Sequence, residues 1–183
     1  MHSLDKAITG TFTRLRPAFL ALGGSLAIAA SAQIQVPLYP VPMTLQSLVV
    51  LLVGAAYGWR LGAATVLLYL AEGVAGMPVF AGFAAGPMAL AGPTGGFLLG
   101  FVPAAALAGW LASRGWTETI WRSGAMFLAG HAVLFVGGIA WLGMLIGFDR
   151  AIAVGLLPFL PGSVVKIALG VSLLAALRAR HRG

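Results

Sequence analysis

The chain has 183 residues, 60% of them hydrophobic and 8% charged, about a third of the charge that an ordinary soluble domain carries. Uncharged runs of 43 residues (17–59), 41 residues (73–113) and 26 residues (123–148) exceed the roughly 20 apolar residues that cross a bilayer, which excludes a soluble fold. The net charge of +7 sits at the ends of apolar segments, a membrane-topology pattern rather than a nucleic-acid surface, and the absence of cysteine excludes a disulfide framework, a thiolate metal site and a thiol nucleophile.

Proline, glycine and charge divide the chain into six predicted spans within a single membrane-embedded domain, residues 1–183. The first covers 17–33, with Pro17 suited to a first helical turn. Lys6, Arg14 and Arg16 before it and Ala30-Ser31-Ala32 at its end imitate a cleavable signal peptide. An uncleaved span is preferred, because cleavage would leave an odd number of spans. Pro37, Pro40 and Pro42 then bend the chain. Spans two (44–59) and three (61–76) are joined by a tight turn at Arg60. A long uncharged segment, 78–95, precedes span four (96–112) and span five (122–147). Residues 149–157 read as a short surface helix, and span six covers 161–177.

This division puts nine of the eleven basic residues on one side, together with Trp59, Trp110, Trp116 and Trp121 as an interfacial belt. Both termini are expected on that cytoplasmic side. The opposite connections hold eight of the ten prolines, with Tyr39, Phe80, Phe83 and Phe159. Stiff, uncharged loops converging on one face suggest a lid over a pocket for a small, partly apolar ligand. Glycines at spacing four (Gly54, Gly58, Gly62; Gly92, Gly96, Gly100) read as close helix packing inside the chain. In span one, Ala21, Ser25 and Ala29 form a similar stripe, either internal or a docking surface for another membrane subunit.

Glu72, His131 and Lys166 are ionisable residues within spans, which makes them functional candidates. Lys166 lies twelve residues before Arg178 and Glu72 twelve beyond Arg60, so helix rise sets both about 18 Å from the basic side. Lys166 suits a counter-ion for an anionic ligand group, near the start of span six where the helix dipole also favours anions. Snorkelling, or pairing with Glu72, is its competing role. Glu72 fits pairing best, and His131 fits a packed, hydrogen-bonded side chain. No H-E-x-x-H, G-x-S-x-G, P-loop or carboxylate cluster is found, which argues against an enzyme. Active transport would therefore need an external motor or an ion gradient. A proton-driven carrier using Glu72 or His131 is the alternative.

Three segments resemble a known family: Val41-Pro42-Met43-Thr44-Leu45-Gln46; Gly76-Met77-Pro78-Val79-Phe80 with Gly92-Pro93-Thr94-Gly95-Gly96-Phe97; and Pro158-Phe159-Leu160-Pro161-Gly162-Ser163-Val164-Val165-Lys166. Together they resemble the BioY family, biotin-specific substrate-binding (S) components of energy-coupling-factor (ECF) transporters. The resemblance implies a six-helix, all-α integral membrane protein of the bacterial cytoplasmic membrane that captures biotin at the outer face. It implies partners too, a transmembrane coupling (T) protein and two ATPase subunits, with ATP used by those partners and no cofactor of its own. The pocket it implies draws on Lys166, Ser163, Phe159, Tyr39, Thr44, Gln46, Phe80, Thr94, Gly95 and Glu72. Ala21, Ser25 and Ala29 are the expected contacts to the T protein. Ser163 stands where the family commonly has aspartate, and Phe97 where tyrosine is usual.

Overall fold

The computed structural model describes the backbone of residues 2–182 and the side chains of residues 15–180. Its long elements are helices: α1 (His2–Ala32), α2 (Gln46–Val74), α4 (Gly95–Ala112), α5 (Ile120–Ile146) and α7 (Phe159–Arg182). Short pieces connect them: strands β1 (Gln35–Val36) and β2 (Met43–Thr44), helix α3 (Met88–Ala91) and helix α6 (Phe148–Gly155). Among the described residues, five helices are long and apolar enough to cross a membrane.

The second of these is not straight. Gly58, at φ +80° and ψ 168°, interrupts α2, a conformation that glycine adopts without Cβ strain. The two arms fold back on each other, because a Cβ on Gly62 would come within 2.8 Å of Gly54 Cα and Gln46 reaches Tyr69. The residues expected as spans two and three make up these arms. Their turn falls at Gly58 rather than Arg60, since the reversal needs a backbone angle that arginine disfavours.

Of the glycine series, Gly54, Gly62, Gly96 and Gly100 pack against other segments of the chain, whereas Gly58 forms the turn with open space at its Cβ position and Gly92 meets only the nearby Met88 and Ala89 carbonyls. A Cβ on Gly54 would overlap the Ala105 carbonyl of α4, one on Gly109 would meet Gly58 and Trp59, and one on Gly96 would strike Trp141 of α5. These close approaches bring α4 against both arms of α2 and against α5. The main core gathers Ile28, Leu51, Val66, Tyr69, Phe101, Ala105, Met126 and Phe127. A smaller cluster of Val41, Leu142, Ala151 and Phe159 lies under the α1–α2 connection and α6.

Several boundaries move. Helix α1 runs on through Pro17 and begins at His2, so Pro17 is not its first turn. Thr119 caps α5 by accepting from the Arg122 N–H at 3.3 Å, which sets that helix two residues ahead of the predicted start. The α1–α2 connection holds a small antiparallel hairpin pairing Gln35 with Thr44 and Val36 with Met43. The uncharged segment 78–95 is ordered by a 3-10 turn, Ala81–Phe83, and by α3.

Candidate functional site

A cavity of about 320 Å³ lies where the two proline-rich connections meet α2, α4, α5 and α7. The α1–α2 connection contributes Pro40, Val41, Pro42 and Thr44, and the first turn of α2 adds Gln46 and Ser47. The segment between α2 and α4 contributes Phe80, Ala81, Ala84, Met88, Pro93 and Thr94. Phe97, Leu98 and Phe101 of α4, and His131, Leu134 and Phe135 of α5, complete the apolar wall. From α7 come Phe159, Ser163 and Lys166, spaced i, i+4, i+7 and therefore on one helix face.

Lys166 is the cationic lining residue. Its Nζ donates to the Thr44 carbonyl at 3.1 Å and to Ser47 Oγ at 2.8 Å, and the residue is 8% exposed. An ammonium has three donors, so one remains after these two bonds. Among the described residues, no aspartate or glutamate lines the cavity. A buried cation with a spare donor suits a carboxylate or another anionic group.

The aromatic walls are fixed in pairs. Phe97 stacks on Phe159 with centroids 6.2 Å apart and planes 14° from parallel. Phe80 meets Tyr69 edge-on at 5.5 Å, seated where Gly73 has no side chain. Gln46 Nε2 donates to Tyr69 Oη at 2.6 Å, and that hydroxyl donates to the Val79 carbonyl at 3.1 Å. This relay ties the start of α2, its second arm and the segment ahead of Phe80 together. Gln33 adds a second tie, donating to the Phe80 carbonyl at 3.0 Å and accepting from the Phe83 N–H at 3.2 Å. Trp141 Nε1 donates to the Gly92 carbonyl at 3.0 Å, and Thr94 Oγ1 to the Ala89 carbonyl at 3.2 Å.

Of the candidate residues, Lys166, Ser163, Phe159, Thr44, Gln46, Phe80 and Thr94 come together around the cavity. Three do not. Tyr39 is 90% exposed, while its neighbours Pro40 and Val41 turn inward. Gly95 backs onto the Leu90 carbonyl and Trp141. Glu72 accepts a hydrogen bond from Ser25 Oγ, so it satisfies α1 rather than Lys166. Ser25 is thereby fully buried, and Ala21 and Ala29 are half-buried on the same side. The Ala21–Ser25–Ala29 stripe is an internal seam. The open face of α1 carries Phe19, Leu22, Gly23, Leu26 and Ala27.

Sequence reasoning missed Gln33, Ser47, Tyr69 and the placement of His131 at the cavity. Ser47 carried a usable signal, because a buried lysine needs polar partners and α2 offers Gln46 and Ser47 in its first turn. Gln33 and Tyr69 carried none, since only the fold brings Gln33 to the backbone of Phe80 and Phe83, and Tyr69 to the Gln46 side chain and the Val79 carbonyl.

A bundle of apolar helices enclosing an aromatic-walled cavity with one lysine defines a membrane protein built to hold a small ligand. Among known proteins, residues 5–183 match the BioY family. The chain is 38% identical over 143 residues to the probable biotin transporter BioY of Pyrococcus horikoshii, covering 78% of this chain and 84% of that one. It is 36% identical over 154 residues to the biotin transporter BioY of Thermotoga maritima, with 84% and 89% covered. For the biotin transporter BioY of Rhodobacter capsulatus the figures are 35% over 177 residues, 89% and 92%. The fold resembles the crystal structure of the S-component for biotin from an ECF-type ABC transporter, with a TM-score of 0.78 at 23% identity over 91% of this chain and 93% of that one. The chain belongs to the BioY family.

Proposed function

We propose that this chain captures biotin and carries it across the cytoplasmic membrane as the S component of an ECF-type transporter. One observation supports this reading above the rest: Lys166, buried with a spare donor, in an aromatic cavity without acidic residues. Biotin has a carboxylate for the ammonium, an alkyl chain and thiophane ring for Phe80, Phe97 and Phe159, and a ureido group for neutral polar side chains. A cavity of about 320 Å³ falls within the usual range for small-molecule sites, about 300–1,000 Å³.

In this reading the two arms of α2 cross the membrane separately, making six spans. Both termini then face the cytoplasm with the basic residues, and the cavity opens outward beneath the two proline-rich connections. The power stroke then belongs to a T protein and two ATPases, a reading supported by the likeness to the S-component of an ECF-type ABC transporter. The open face of α1, with Gly23 and Ala27 uncovered, replaces Ala21, Ser25 and Ala29 as the surface offered to the T protein.

Equilibrium binding to the detergent-purified chain tests the ligand. Biotin is expected to bind tightly and to compete with desthiobiotin. A folded, monodisperse preparation that binds neither would overturn the reading. Uptake that persists in vesicles without any ATPase and stops when the proton gradient collapses would instead favour a self-contained carrier.

A further inference from the structure

His131 sits in the middle of α5, and only 3% of it is exposed. Its Nδ1 lies 2.9 Å from the Phe127 carbonyl, one turn back. A carbonyl oxygen only accepts, so the ring proton is on Nδ1. The other nitrogen, Nε2, is the one buried side-chain nitrogen or oxygen among the described residues that has no hydrogen-bond partner. The residue lines the same cavity as Lys166.

With its proton on Nδ1, a neutral imidazole presents at Nε2 a lone pair and no N–H. A buried acceptor without a donor is destabilising, and native structures rarely leave one without a reason. Leu98, Phe101, Leu134 and Phe135 line the same cavity, and the cavity's ammonium is bonded to Thr44 and Ser47. A ligand that completes this site therefore needs an N–H or O–H donor for Nε2 and an anionic group for the ammonium. A cyclic urea joined by an alkyl chain to a carboxylate has that arrangement.

Resting on the biotin reading above, we propose that His131 Nε2 accepts a hydrogen bond from a ureido N–H of bound biotin. His131 is then a specificity-determining residue, setting the orientation of the ligand's ring system while Lys166 holds its carboxylate. Its preference is for rings bearing a free N–H. The energetic reason is asymmetric, since a ligand without the donor leaves the lone pair buried and unpaired.

The test is a binding cycle: wild type, His131→Phe and His131→Gln, each titrated with biotin and with the two isomers methylated at one ureido nitrogen. His131→Phe is expected to weaken biotin binding about tenfold, with His131→Gln recovering part of it through its amide oxygen. One methylated isomer is expected to bind the wild type about tenfold more weakly than biotin does, and that difference should shrink to within about twofold in His131→Phe. Biotin affinity unchanged in His131→Phe, or an undiminished methylation penalty in that variant, would overturn the role of His131 while leaving the biotin reading intact. Failure of the folded wild type to bind biotin would overturn both. Should His131→Phe not fold, the Nε2 resonance of ¹⁵N-histidine-labelled wild type decides. A shift on adding biotin that is absent with the methylated isomer supports the bond, and no shift with biotin refutes it.

Discussion

Glu72 and Lys166 stand at about the same height along their helices, about 18 Å from the basic side by helix rise, yet their surroundings differ. Glu72, on the second arm of α2, meets the Ser25 hydroxyl at the seam with α1. Neither Glu72 nor Ser25 lines the cavity that holds Lys166, and the carboxylate is a local structural tie. Lys166, on α7, leans on Thr44 and Ser47 and still faces an open volume with one donor left. Two intramembrane charges thus serve different ends, one closing a helix pair and the other holding a binding site ready. What separates them is the direction each side chain takes around its helix, which decides the element it meets.

The largest effect expected from that contrast is at Lys166. Replacement by alanine should weaken biotin binding more than tenfold, about 1.4 kcal/mol or more, in a titration of the folded variant. Next comes the relay that seats Phe80. Tyr69→Phe deletes the hydroxyl between Gln46 and the Val79 carbonyl, and loss of about 1 kcal/mol per such bond should lower affinity roughly fivefold. Its signature is faster dissociation in stopped-flow measurements, because the segment over the cavity is less firmly held. Gln33→Ala removes the other tie, at Phe80 and Phe83. The bond to Phe83 is exposed, so a two- to threefold rise in the dissociation rate is expected on the same ~1 kcal/mol scale.

The smallest effect on binding belongs to the other charge. Ser25→Ala leaves Glu72 without its donor and should lower the thermal midpoint, with a stability loss of about 1 kcal/mol. Biotin affinity should stay within twofold of wild type in the same preparation. A tenfold loss of affinity in Ser25→Ala would merge the two regions that the structure separates.

Much of this organisation was legible from residue order alone. Uncharged run lengths mark the chain as membrane-embedded, and the proline-rich connections mark segments that line the cavity. Phe159, Ser163 and Lys166 share a face simply because α7 is helical. Other features depend on which neighbour a side chain meets, and residue order carries no such information. Helix rise placed Glu72 level with Lys166 but said nothing of its direction, so pairing with Lys166 was expected where Ser25 is the partner. The same gap made Ser25 a candidate for an outer docking stripe when it is buried. Tyr39 was chosen as an aromatic in a proline-rich connection, yet the turn points it outward between inward-facing neighbours. Charge usually marks a membrane boundary, which points to Arg60, whereas the reversal obeys backbone geometry and falls at Gly58.

The most direct test of the central claim is a comparison of biotin with its methyl ester, on the wild type and on Lys166→Ala, by equilibrium titration. If Lys166 holds the ligand carboxylate, the wild type binds the acid at least tenfold more tightly than the ester, and the variant binds the two within about twofold of each other. Equal binding of acid and ester by the wild type, or a preference for the acid that survives in Lys166→Ala, would contradict the account.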